Sequence, residues 1–176
     1  MKDSCTSDNR PYDLIVVGAG SAGFSASITA AEAGKRVALI GHGTIGGTCV
    51  NIGCVPSKAM IRAAEALHGA NTAARLVTIL RQKKYADLLP AYEGVEYIDE
   101  GPATLIDGGI EVGGRKITAP KTLIATGSRT FVPAIRGIED VDPLDSTSLL
   151  ELETLPDSLI FIGAGYIGAE LAQMMA

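Results

Sequence analysis

A chain of 176 residues with 47% hydrophobic side chains and 21 glycines has the material for one good core, or for one domain and part of a second, in a compact, turn-rich α/β class. Its formal charge of −5 gives no ground for a nucleic-acid partner or an anionic membrane, and no apolar stretch reaches the length of a membrane span. Three cysteines, an odd number, argue against a secreted disulfide framework, and a close pair in a reducing cytosol is catalytic or redox-sensing.

Met1 to Arg10 is polar without an apolar centre, so it reads as a short flexible tail and not as a signal peptide, with Cys5 as a spare thiol. Tyr12 to Val17 is a β-branched apolar run that leads into Gly18-Ala19-Gly20-Ser21-Ala22-Gly23. The Ala-rich residues that follow predict a helix, Gly34 stands where its cap belongs, and Arg36 to Ile40 is a second buried strand. Strand, glycine turn, helix and strand make a βαβ unit with a dinucleotide-binding fingerprint at its turn, where backbone N–H groups and the positive helix end face a pyrophosphate. A tight turn with no ligand is the bland alternative. One residue of the fingerprint is missing: the acidic group expected at the end of the second strand is replaced by Ile40-Gly41-His42. Its loss removes charge-assisted bonds of about 1.5–3 kcal/mol each.

Gly46-Gly47-Thr48-Cys49-Val50-Asn51-Ile52-Gly53-Cys54-Val55-Pro56-Ser57-Lys58 follows. Five residues of ideal helix rise about 7.5 Å and turn through about 500°, whereas bridgeable cysteines need Cα atoms within roughly 7 Å and converging side chains. The segment is therefore expected to be an irregular helix start carrying an exchangeable disulfide, with Gly53 permitting unusual dihedrals and Pro56 removing a donor. Two buried thiols, or half of a zinc site completed by Cys5, His42 or His68, are the alternatives.

Ser57 to Leu67 reads as a helix with Gly69 after it, and Thr72 to Leu89 as a second, stopped by Pro90. Val95 to Thr118 has the texture of an antiparallel meander, broken by Gly-Pro, Asp-Gly-Gly and Gly-Gly turns. Lys121 to Ala125 is a buried strand ending in Thr126-Gly127-Ser128, and Pro133, Pro143 and Pro156 punctuate a loop-rich crossing. Leu159 to Ile162 is a last strand, entering Gly163-Ala164-Gly165-Tyr166-Ile167-Gly168, a second fingerprint. The expected organisation is a tail over 1–10, a nucleotide domain over 11–156, and over 157–176 the opening of a second nucleotide domain, cut short of the roughly 30 residues of a βαβ unit.

Two fingerprints, the first closely followed by a CxxxxC pair, resemble the flavoprotein disulfide reductases, that is, the pyridine nucleotide-disulfide oxidoreductases. The resemblance runs from about Tyr12 to the end. Within the family, Cys-Val-Asn-Ile-Gly-Cys-Val-Pro-Ser-Lys followed by Ala-Met-Ile-Arg-Ala-Ala-Glu is most similar to mercuric reductase, as are the stretches Leu80 to Tyr85 and Ser146 to Leu150. Dihydrolipoamide dehydrogenase or glutathione reductase is the alternative. The resemblance implies a Rossmann-like FAD-binding domain of glutathione reductase type with an antiparallel β-meander insertion.

It also implies roles at matching positions. Gly18, Gly20, Ser21, Ala22 and Gly23 would hold the FAD pyrophosphate, Gly47 and Thr48 would pack along the cofactor, Ala103 would meet the adenine, and Thr126 and Gly127 would close over it. Cys54 would face the flavin and Cys49 the substrate. Lys58 would lie near the flavin, a buried lysine paired with Glu170. Gly163, Gly165 and Gly168 would bind NAD(P)H, with Tyr166 as gate over the nicotinamide. Electrons would pass from NAD(P)H through FAD and the disulfide to Hg(II), which two soft thiolates suit as ligands, or to a small disulfide.

Departures from the family pattern bear on these roles. Gly41 stands where the ribose-binding acid belongs, and the connection between the Ser57 helix and the Arg81 helix is expected to be shorter by about two dozen residues. The later Gly-Asp motif, the domain through which full-length relatives form homodimers, the C-terminal cysteine pair and the N-terminal metal-binding domain are not found in the sequence. The chain thus reads as the FAD and disulfide portion of a cytoplasmic enzyme, or as a flavin-binding module or remnant without turnover of its own. Hg(II)-dependent NADPH oxidation by it alone is expected to be absent or very weak.

Overall fold

The computed structural model describes residues 10–65 and 70–176. The expected tail with Cys5, apart from Arg10, and the expected helix end at Leu67 with His68 and Gly69 lie outside the described residues. The chain divides into two compact units, one formed by the residues up to Ile45 with Ala86–Thr126, the other by Gly46–Tyr85 with Gly127–Ala176.

The first unit is built on a parallel sheet. Strand β1 (Leu14–Val17) leads through the glycine turn into helix α1 (Ser21–Glu32) and on to β2 (Val37–Ile40), as the hydrophobic pattern predicts. Ala33 caps α1 and Gly34 follows in the left-handed region at φ 75°. All four residues of β2 are buried, and a strand covered on both faces needs a continuous apolar run without polar alternation. The spatial order is β3-β2-β1-β7, with β3 (Val95–Ile98) beside β2 and β7 (Thr122–Ile124) beside β1.

Strand β3 corrects one expectation, because it is not part of the meander. It pairs parallel with β2, from Val37↔Val95 to Ile40↔Ile98. Four residues cannot declare their own sheet, and the partner lies far away in sequence. The meander proper is the antiparallel trio β4 (Thr104–Ile106), β5 (Gly109–Val112) and β6 (Arg115–Ile117). Its turns use Gly108, Gly113 and Gly114 at positive φ. Ile110, Val112 and Ile117 pack with Ile15, Ala38, Ile40 and Ile98 into one core, each Ile or Val side chain contributing about 1.5–3 kcal/mol by leaving water.

At the start of the sheet Tyr12, Arg36 and Glu96 form a linked group. The Tyr12 hydroxyl donates to Glu96 Oε2 at 2.5 Å, Arg36 Nη2 meets the same oxygen at 2.9 Å, and the guanidinium lies 4.1 Å over the Tyr12 ring. Burial and the Glu96 acceptor push the Tyr12 phenol up to about 12.

The second unit is helical. It contains α2 (Gly47–Asn51), α3 (Cys54–Glu65), part of α4 (Ala70–Leu88), α5 (Ser146–Leu150) and α6 (Tyr166–Met175). Pro90 lies in the short 3-10 turn Leu89–Ala91 that follows α4. Asp145 caps α5 by accepting from the backbone N–H groups of Thr147 and Ser148, and the Ser148 hydroxyl accepts from Asp145 N–H, a reciprocal capping box. Residues 159–162, expected as a strand, are not in one, and Ile160 is 92% exposed. A strand exists only through its ladder, and among the described residues nothing pairs with this segment.

Candidate functional site

In the first unit the fingerprint turn is held by close backbone approaches. Gly18, at φ 117°, donates its N–H to Ile40 C=O at 2.8 Å, and a Cβ there would collide with Ala125 O and come within 3.0 Å of Thr126 N. The turn and Thr126 thus meet at the carboxyl end of the sheet. A Cβ on Gly23 would overlap Gly18 O, so only glycine lets α1 pack this tightly. The first bond within α1 runs from Phe24 N–H to Gly20 C=O at 2.9 Å. The N–H groups of Ser21, Ala22 and Gly23 therefore have no acceptor inside the helix, Gly20 supplies no side-chain cap, and the first turn holds no acidic residue. Such an end suits an anion. Ala103 is half-buried against the core. Gly41 is buried, and beside it stands the Tyr97 ring, a neighbour that its sequence position does not advertise.

The second unit contains the cysteine segment, and it is irregular as the spacing requires. Helix α2 stops at Asn51 and α3 starts at Cys54, so the two cysteines sit on successive short-spaced helices. Gly46 and Gly47, at φ 104° and 64°, turn the chain into α2, and a Cβ on Gly46 would lie 2.8 Å from Val50 Cβ. Gly53 corrects the expected reason for its presence. Its backbone is not left-handed; a Cβ there would instead stand 2.8 Å from Thr48 O and 3.3 Å from Cys49 Cα. The glycine serves close approach of the two helices.

Pro56 also has a different role from the one expected. Helix α3 begins at Cys54 and not at Ser57, and its first i→i−4 bond runs from Ser57 N–H to Gly53 C=O at 3.0 Å. The residue before Ser57 needs no donor, so proline fits the first turn without loss. Cys49 is partly buried and Cys54 is exposed. Gln82 Nε2 donates to Asn51 Oδ1 at 2.7 Å, tying α4 to the end of α2.

Lys58 stands one turn after Cys54 on α3, and its Nζ meets Glu170 Oε1 of α6 at 2.8 Å. The expected partner is found, but the pair is not buried: the side chains are 60% and 45% exposed. An exposed pair orients charge more than it stabilises the fold. The hydrogen bond that Lys58 donates to Glu170 raises the Lys58 pKa above the ordinary lysine value, and the charges of Glu170 and Cys54 act in the same direction.

The second fingerprint repeats the first in looser form. Gly163 lies at φ 102°, Gly165 leads into α6 without a side-chain cap, and a Cβ on Gly168 would lie 2.9 Å from Gly163 O. The first bond of α6 runs from Ala169 N–H to Gly165 C=O at 3.0 Å, again leaving the preceding N–H groups without helical acceptors. Tyr166, the first residue of α6, is 82% exposed. Among the described residues no three His, Cys, Asp or Glu side chains gather as a metal cage, and no helix is long and apolar enough to cross a membrane.

Comparison with known proteins agrees with this arrangement. The family model for pyridine nucleotide-disulphide oxidoreductases matches residues 12–176. The chain is 44% identical to a mercuric reductase of Lysinibacillus sphaericus, over 93% of this chain and 34% of that protein. It is 47% identical to a mercuric reductase of Staphylococcus aureus, over 93% and 34% respectively. It superposes on the HOCl-induced flavoprotein disulfide reductase RclA from Escherichia coli with a TM-score of 0.83 and 37% identity, covering 93% of this chain and 39% of that one. A Cu(II) complex of RclA matches with the same TM-score. The chain therefore spans about a third of the length of the mercuric reductases it matches. The Lysinibacillus match runs over 185 residues against a chain of 176, so that relative carries positions this chain lacks.

Proposed function

The chain belongs to the pyridine nucleotide-disulphide oxidoreductase family, and on that premise we propose that it forms the flavin-binding and dithiol portion of a mercuric reductase-like enzyme, with FAD as cofactor, NAD(P)H as reductant and Hg(II) as substrate. One observation carries the reading. The helix break leaves two thiols on adjacent helices, and the Lys58 ammonium one turn beyond Cys54 is tied to Glu170 at 2.8 Å.

The residues fit FAD. The uncapped start of α1, with Gly18 and Gly23 in close backbone approaches, offers Gly20, Ser21, Ala22 and Gly23 to a pyrophosphate. Ala103 and Thr126 are the other residues of the same unit assigned to the cofactor. Bound there, FAD supplies a two-electron centre able to exchange with both a nicotinamide and a dithiol. Lys58, held to Glu170, places its positive charge one turn from Cys54. Cys49 is the thiol assigned to substrate, and two thiolates match a soft cation. Gly163, Gly165 and Gly168 are assigned to NAD(P)H, with Tyr166 at the nicotinamide.

Because RclA is known as a Cu(II) complex, Cu(II) is the competing metal. The test is the visible spectrum of the purified chain with FAD, before and after dithiol reduction. Bound flavin with a new long-wavelength band on reduction, lost in Cys54→Ser, supports the reading; a colourless chain refutes it. Titration with Hg(II) and Cu(II) against the loss of two reactive thiols then ranks the metals.

A further inference from the structure

The end of β2 is where this fold sends an acidic side chain to the adenosine ribose, and here that position is Gly41. The missing side chain has not left empty space. A Cβ built on Gly41 would run into the Tyr97 hydroxyl and lie 2.7 Å from its Cε2 and 2.8 Å from its Cζ. The pairing explains why. Tyr97 on β3 stands opposite Leu39, and Gly41 lies two residues further along, on the same face of the sheet. Gly41 N–H donates to Ile98 C=O at 2.9 Å, which fixes the strand end against β3. The phenol therefore reaches along the face to the point that an acidic side chain at position 41 would start from. Glycine and tyrosine are a matched pair.

We propose that Tyr97 takes over the missing acid's task, its hydroxyl hydrogen-bonding the adenosine ribose hydroxyls of the bound cofactor. The proposal rests on the reading of this chain as an FAD-binding protein. A phenol hydroxyl both donates and accepts, so it can serve a ribose diol that a carboxylate serves by accepting alone. Among the described residues the Tyr97 hydroxyl has no hydrogen-bond partner, which leaves both capacities available. Burial, with the nearby Asp99 charge, raises the phenol's pKa above its ordinary value and keeps the proton on the oxygen. A neutral bond replaces a charge-assisted one, so the ribose is held less tightly than by the usual acid, but it is held.

The test measures the Kd of wild type and Tyr97→Phe by flavin fluorescence, each with FAD and with an FAD analogue lacking both adenosine ribose hydroxyls. Far-UV circular dichroism and the unfolding midpoint establish that the variant, which keeps the ring, is folded. The variant is expected to bind FAD about three- to tenfold more weakly, and to bind the analogue as wild type does. A variant that binds FAD within twofold of wild type overturns the proposal, as does an equal loss for FAD and analogue, which would make Tyr97 a packing residue. Wild type that fails to bind FAD at all removes the cofactor reading itself. Wild type that binds FAD alongside an unaffected variant removes the Tyr97 proposal alone.

Discussion

Alanine at Gly23 and at Gly168 should have different consequences, although the two residues hold the same place in their glycine turns. A Cβ on Gly23 would overlap Gly18 O and lie 3.0 Å from the attached carbon, both main-chain atoms well inside van der Waals contact, with Val16 Cγ1 a further 3.3 Å neighbour. No rotamer can relieve it, so α1 must move off the turn. Overpacking of this kind costs about 1–3 kcal/mol and sometimes more. Alanine returns up to about 1 kcal/mol through helix propensity and a less free unfolded chain. The net expectation for Gly23→Ala is a loss of about 2 kcal/mol, with FAD affinity reduced because the α1 N–H groups shift. On Gly168 the same atom would lie 2.9 Å from Gly163 O, also a main-chain atom, so the backbone must shift there too, but over a much smaller overlap. Propensity offsets part of that strain, and Gly168→Ala should cost clearly less than Gly23→Ala, about 1 kcal/mol. Urea denaturation followed by far-UV circular dichroism measures both. The reasoning fails if Gly23→Ala unfolds within about 0.5 kcal/mol of wild type, or if Gly168→Ala proves the more damaging.

Three further outcomes follow from single side chains. The Tyr12 phenol, raised from 10.0 to about 12 in the fold, contributes stability that is whole below its unfolded pKa and declines as pH rises from about 10 to about 12; Tyr12→Phe should flatten that alkaline slope in denaturation midpoints. Lys58→Met should leave the unfolding midpoint essentially unchanged, since the pair with Glu170 is exposed, yet slow alkylation of Cys54 by iodoacetamide severalfold, and equal rates would deny Lys58 any influence on the thiol. Ser27 is fully buried in α1, and among the described residues its hydroxyl has no partner, so Ser27→Ala should be neutral or stabilise by about 1 kcal/mol; a clear loss in thermal unfolding would reveal a hidden partner.

Much of the architecture is legible in the chain because it rests on local rules. A buried run into glycines and an Ala-rich helix reads as βαβ, and β1, α1 and β2 form it. The cysteine spacing requires a broken helix, and the break stands at residues 52–53. Lys58 and Glu170, 112 residues apart, are paired in sequence terms by family resemblance alone, and the structure brings them together. Features that no local rule decides are of the opposite kind. The sheet that β3 joins, the absence of a ladder at residues 159–162, and the exposure of the Lys58 pair all depend on what lies across space.

The glycines show the same division. Their number and spacing announce turns, because only a residue without Cβ tolerates such backbones cheaply. Which glycine serves which purpose was decided by tertiary packing. Gly53 keeps two helices close without a left-handed backbone, and Gly41, read from sequence as a plain loss of an acid, makes room for the Tyr97 ring. Sequence periodicity settles which residues turn inward. Strand pairing settles which side chain stands beside which, since that neighbour can come from any distance along the chain.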